Sequence, residues 1–435
     1  MDEHQALGGG PGLLTIADTR TGLEFELEIK QGGIVLAKEM INKVAMHVSQ
    51  DGDLLLFDPG YFNTAVTKFA ISLANGNDGT LKFRGYPVEE LAQHCTFLQV
   101  AYLLIYGDLA SKAKLSRFED SVRKETCCHK GAMGLIKSQP KNAHAMGLLA
   151  TAISSMSSFY PQPDGAYQDK HVQDQLIARV LGQIPIYIAH IFQHAEGMVL
   201  PNPSSELPYV ANFRYMHIKL VSLFPRSSPL LARILERLLI VHMEHELSCS
   251  SAAVRHLVSW QVGVDLYTCL AAGVATLGGP FHGGANEACA NMIQEIGTVD
   301  NIPAYLEAVK NKKKKLFGFG HRIHRAYEIR VKVIRQLAED AFEIVGHDPL
   351  IKVSDALAEA ALSDEYFIKR KLYPNIDFYS WIVFKALGFQ GNFPLLFALA
   401  RVVGYLAHWK ECLDLRDNKI VRPRQLYIGE WLQHY

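Results

Sequence analysis

PLLARILERLLIVHMEHE, residues 229–246, decides the fold: Leu231, Ile234, Leu235 and Leu238 return at the three-and-four spacing of one helical face. VEELAQHCTFLQVAYLLIYG (88–107) repeats that spacing and ends on Gly107, a helix stop signal. The same period runs through 144–160, 175–192, 264–279, 325–345, 350–362, 378–388 and 394–409. Breaks such as PQPDG (161–165) and PNPSS (201–205) separate these stretches, and no repeat period is visible. Many helices on short links predict a mainly α architecture. Only the beginning differs. LLTIADTRTGLEFELEI alternates apolar residues around Thr21-Gly22 as a hairpin does, and DGDLLLFDPG (51–60) reads as another short strand. Residues 1–60 therefore read as a small β-rich arm.

With 49% hydrophobic and 20% charged residues in 435, there is ample material for a buried core. Lysine plus arginine (44) equals aspartate plus glutamate (44), which excludes a global pull toward nucleic acid or an anionic membrane. Seven cysteines without a CxxC pair fit reduced thiols rather than a disulfide framework, with Cys249 and Cys289 read as small core filler. The start, MDEHQALGGGPG, resembles neither a signal peptide nor a mitochondrial presequence, and EWLQHY is not a peroxisomal SKL tail. A cytoplasmic location is the expectation.

Four segments place uncommon polar residues in apolar or glycine-rich surroundings. His242 and His245 sit at i,i+3 on the 229–246 helix, a spacing that puts both on one face. Paired histidines suit a metal, yet this is neither HExxH nor HxxEH, so carbonyl-bonded helix-end histidines are the plainer reading. Gly278–Glu287 sets His282 among glycines that would let a ligand approach the backbone, with a helix starting near Ala285. KKKKLFGFGHRIHRAYEIR (312–330) joins a glycine turn at His321 to four lysines and to Arg322, Arg325 and Arg330, a composition suited to phosphate and carboxylate ligands. Asp377, in YPNIDFYS, falls at a helix start, where capping is its ordinary role. Arg401 stands in an apolar helix that calls for an anionic partner.

GPFHGGANEA, GFGHRIHRAYEIR, PNIDFYS, ARVVGYLAHW and RPRQLY, in this order, resemble the citrate synthase family, most nearly its bacterial-type branch. Weaker matches, among them FRGYPVEELA (83–92), carry the resemblance across residues 14–428. The resemblance implies a two-domain helical fold: a large domain of 61–282 and 386–435, and a small domain of 283–385 closing over the active site. It implies condensation of an acyl-CoA with oxaloacetate, then thioester hydrolysis, without a cofactor or metal. Three catalytic residues carry over: His282 on the thioester carbonyl, Asp377 as base and His321 on the ketone. His245, His321, Arg330, Arg401 and Arg422 would hold oxaloacetate, with Arg422 supplied in trans in a homodimer; Arg325, Lys314, Lys315 and Asn375 would hold CoA.

The frame departs from the family's pattern in places. Leu247-Ser248 stands where asparagine is usual, Glu328-Ile329-Arg330 replaces DPR, and Trp381 replaces a glycine. Trp381 beside the Asp377 helix points to a longer acyl donor, as in alkylcitrate or 2-methylcitrate synthases, with acetyl-CoA as the alternative. Rivals from other classes are a non-catalytic homologue binding CoA or citrate, and a metal hydrolase or lyase built on the histidines.

Overall fold

The computed structural model describes residues 11–19, 22–31, 33–40, 57–61, 63–163, 165–197, 201–218, 228–258, 263–321, 323–324, 327–415, 419–423, 425 and 428–429. The chain falls into two compact units, 1–68 with 423–435, and 69–422.

In the first unit, Gly12–Asp18 and Leu23–Ile29 pair antiparallel, with Gly12 opposite Ile29 and Asp18 opposite Leu23. Gly22 supplies the positive φ (74°) that the tight connection needs, as the sequence pattern predicts. Residues 51–56 of the other expected strand lie outside the described residues, and Pro59-Gly60 form a turn.

The second unit is helical from Val88 onward. Ahead of that lies a three-stranded antiparallel sheet, Ser72–Asn75, Thr80–Phe83 and Tyr86–Pro87, where helix was expected. Local chemistry explains it: the Asp78 carboxylate accepts from the Thr80 amide and hydroxyl at 3.0 and 2.7 Å, and Gly79 adopts φ 75°. The stretch 88–107 is two helices, Val88–His94 and Phe97–Tyr106. Thr96 and Gln99 form a capping box that starts the second, and Gly107, at φ 98°, ends it.

Lys170–Glu196 is long and apolar enough to cross a membrane, but 89% of its most apolar window is buried, so it is a core helix. Phe393–Asp414 is buried along most of its length and packs against Phe97–Tyr106, Lys170–Glu196, Pro229–His242, Cys249–Leu257 and Leu266–Leu277. Each leucine buried there contributes about 1.5–3 kcal/mol. This helix matters most for function, because Arg401, one of its buried polar residues with His408 and Lys410, is 2% exposed and sits in the core's midst. All seven cysteines are free thiols.

Candidate active site

Two backbone segments distant in sequence run side by side. The Gly320 N–H donates to Tyr373 O, and the Asn375 N–H donates to Gly318 O, both at 2.8 Å. Both glycines have positive φ (76° and 77°). A Cβ on Gly318 would come within 2.9 Å of Cys289 Sγ and 3.0 Å of Phe378 Cα. Glycine is therefore required by strain and by space. The pairing brings His321 beside the start of the Ile376–Ala386 helix, which carries Asp377. Asn375, not Asp377, caps that helix: its Oδ1 accepts the Asp377 N–H at 3.0 Å, and its Nδ2 donates to Gly320 O at 2.8 Å. The Asp377 carboxylate is thereby left for other work.

The same loop settles the state of His321. Its Nδ1 accepts the backbone N–H groups of Ile323 and His324 at 3.0 and 3.2 Å. That leaves the ring proton on Nε2. Burial pushes its pKa down to about 4, so His321 is a neutral donor at physiological pH.

His282 lies in a compact turn. The Gly283 N–H donates to Leu277 O at 2.9 Å, and the Gly284 N–H to Gly279 O at 3.1 Å. A Cβ on Gly283 would come within 2.7 Å of that Leu277 oxygen, so here the glycines serve the turn's own packing. The helix starts at Ala285, as expected. His282 Nε2 meets Ser250 Oγ at 2.7 Å, and burial, then Arg401, push its pKa down to about 4.

The 229–246 stretch corrects the sequence reading. Its helix stops at His242, and Glu246 turns to φ 54°, so the two histidines do not share a helical face. His242 Nδ1 meets Leu238 O at 2.7 Å, the expected helix-end bond. His245 leaves the helix and meets His324 instead, Nε2 to Nε2 at 2.9 Å. The rings of His245, His321 and His324 lie 4.7–5.0 Å apart. Their ligand-capable atoms fall within 4.8 Å of one another, as a metal site would need. His321, however, has Nδ1 occupied by two donors and a proton on Nε2, so it offers no free lone pair. The geometry favours hydrogen-bond donation over ligation.

Asp377 is half-buried, and its Oδ1 is sealed with no hydrogen-bond partner. Burial raises its pKa to about 7, against the opposing pull of Arg330 and Arg401. Arg401 donates from Nε to His242 O at 3.0 Å and from Nη1 to Ser248 Oγ at 3.3 Å. Arg330, also buried, donates to Glu328. Asn286 braces the Asp377 helix by donating to Asp377 O at 3.5 Å and to Ser380 Oγ.

Among the other expected site residues, Lys314 pairs with Glu295, and Lys315 stands 4.2 Å over the exposed ring of Phe281, next to His282. Arg422 is exposed at the end of its unit, and Arg325 lies outside the described residues. Cys289 is core filler, but Cys249 is exposed at the first turn of its helix, contrary to expectation. Trp381 is fully buried and donates from Nε1 to Phe378 O at 2.9 Å. Sequence reasoning missed Ser248, Ser250, Glu328 and His324. Glu328 and Ser248 were visible only as departures from a pattern, and His324 was hidden among cations.

A sealed carboxyl with a pKa near neutrality, two neutral imidazoles and two buried guanidiniums suit removal of a weakly acidic proton beside an anionic group. Comparisons make this specific. The profile described as "Citrate synthase, C-terminal domain" matches residues 60–424. "Citrate synthase, glyoxysomal" of Cucurbita maxima is 47% identical over 431 residues, 98% of this chain and 83% of that protein. "Citrate synthase 1, peroxisomal" of Arabidopsis thaliana is 45% identical over 434 residues, 98% and 89% of the two chains.

Among solved structures, the Thermotoga maritima citrate synthase aligns at TM-score 0.76 and 30% identity, covering 87% of this chain and 98% of that one. The Thermoplasma acidophilum citrate synthase, in ternary complex with carboxymethyl coenzyme A and oxaloacetate, aligns at TM-score 0.79 and 25% identity, covering 86% of this chain and 96% of that one. This chain belongs to the citrate synthase family and is a carbon–carbon bond-forming acyltransferase. The relatives' glyoxysomal and peroxisomal names overturn the cytoplasmic expectation.

Proposed function

We propose that the chain condenses acetyl-CoA with oxaloacetate and hydrolyses the resulting thioester, giving citrate and CoA, in a peroxisomal compartment. Asp377 takes the α-proton of the acetyl group while His282 donates to the thioester carbonyl, where negative charge develops. The enol carbon attacks the ketone of oxaloacetate, and His321 Nε2–H supplies the proton for the new hydroxyl. Water then cleaves the thioester. Arg330, Arg401 and His245 hold the carboxylates, with Arg422 arriving from a second subunit; Arg325, Lys314 and Lys315 serve CoA. Residues 283–385 act as a lobe that closes and excludes water until condensation is complete.

One observation carries the reading: Asp377 Oδ1 is buried, unpartnered and titrates near neutrality beside two guanidiniums. A carboxylate so kept costs stability, which marks it as a candidate for a catalytic base. The ligands of the Thermoplasma acidophilum complex support the same substrates. Trp381 lends no support to a longer donor, because its ring is packed in the core with its N–H satisfied along its own helix. The test is thiol release with oxaloacetate across saturated acyl-CoAs from two carbons to about twelve. A maximum at acetyl is expected; a longer optimum would overturn the donor assignment, and no release at all would overturn the condensation.

A further inference from the structure

His245 Nε2 and His324 Nε2 face each other at 2.9 Å, a contact for which the condensation chemistry has no use. Both rings are buried. Two imidazole nitrogens at this distance share one hydrogen, one donating and the other accepting. A neutral pair holds two ring protons. One lies between the rings, so only one of the outer nitrogens, His245 Nδ1 or His324 Nδ1, carries the other. A third proton would put an N–H on both and turn the central contact into a charge-assisted bond. His324 Nδ1 is buried with no well-formed hydrogen bond, and the Asn75 backbone is the polar group that favours a proton on this ring.

The charged neighbours come from several elements. Glu328 Oε1 stands 3.9 Å from His324 Nε2, and Asp78 reaches the same ring from the 72–87 sheet. His321, Arg330 and Arg401 face His245. Burial disfavours a third proton on either ring; Glu328 and Asp78 favour it on His324, while Arg330 opposes it on both.

We propose that His324 is a positioning residue that makes the His245–His324 pair store a proton, and that a C4 dicarboxylate seated on Arg330 and Arg401 loads that proton. This rests on the oxaloacetate reading above. A dianion cancels the field of the two guanidiniums where screening by water is weak, which removes their Coulombic opposition to the third proton, the burial cost remaining against Glu328 and Asp78. Binding and protonation are then reciprocally linked, so that acid tightens binding.

Asp377 would confuse the measurement, since it also titrates near neutrality, so the test uses the full-length Asp377→Asn protein. Oxaloacetate is titrated calorimetrically from pH 6 to 8 in two buffers of different ionisation heat, with malate as a non-condensing control. Uptake approaching one proton per site is expected, with Kd rising by up to about tenfold per pH unit. Adding His324→Gln keeps a hydrogen-bonding group but no proton store, and should flatten Kd against pH and abolish uptake. His324→Asn, a shorter amide at the same position, must flatten the profile likewise, should His324→Gln not fold. Binding without uptake in the Asp377→Asn protein, or unchanged uptake after His324→Gln, overturns the proposal. No dicarboxylate binding at all would instead bring down the oxaloacetate reading, and this inference with it.

Discussion

Asn375 and Gly320 are joined by a 2.8 Å hydrogen bond from Nδ2 to the glycine carbonyl, while the same side chain caps the helix of Asp377 through Oδ1. One amide thus couples the loop that orients His321 to the helix that presents Asp377. Asn375→Ala removes both bonds and should cost about 1–2 kcal/mol in urea denaturation. Turnover should fall by roughly 10-fold or more, since small misplacement of reacting groups is expensive. If the side chain chiefly gripped CoA, as its motif implied, KM for acetyl-CoA would rise with kcat unchanged.

Asp377→Asn should lower kcat by about 10²–10⁴-fold while leaving oxaloacetate binding largely intact, because only proton transfer is lost. Equal loss of both would count against a base. Stability gives a second readout. The folded carboxyl titrates near 7, above the ordinary value of about 3.9 for an unfolded aspartate. Its protonated form therefore favours folding below pH ~4, and that contribution is lost as pH rises through ~7. The Asn protein should match the parent's melting temperature at pH 4 and exceed it at pH 8.

The sequence carried the helices well, because apolar spacing reports burial wherever one face meets a core. It carried less where local polar contacts decide: the Asp78–Thr80 turn made a sheet where helix was expected. It also misjudged His242 and His245, since i,i+3 spacing implies a shared face only while the helix continues, and this one ends between them. The residues proposed for the condensing chemistry stand out in the sequence as motifs. Their partners do not, for Ser250 meets His282, and His324 meets His245, only through tertiary folding.

Gly318→Ala tests whether the glycine turn is structural. With φ at 76° and Cys289 Sγ 2.9 Å from the added methyl, the change should destabilise the chain by about 1–3 kcal/mol. Activity should fall further than stability explains, because Phe378, which the methyl also crowds, adjoins Asp377. A stable, fully active Gly318→Ala enzyme would mean the loop can relax without moving the base.

The pH dependence of kcat/KM joins these groups into one curve. Asp377 must be ionised to act, and with a pKa near 7 its active fraction falls about tenfold per unit of acidification below that value. His282 and His321 titrate near 4 and are already neutral by pH 5, so neither adds a limb between 5 and 9. The profile with acetyl-CoA should therefore rise through a single ionisation near 7 and then level off. Arg330 holds the Asp377 pKa down, so Arg330→Gln should move that limb toward higher pH while also raising KM for oxaloacetate. A limb near 4 in the parent would mean that Asp377 is better solvated than its sealed Oδ1 implies. A limb that stays in place when Arg330 loses its charge would show that the guanidinium does not act on the base.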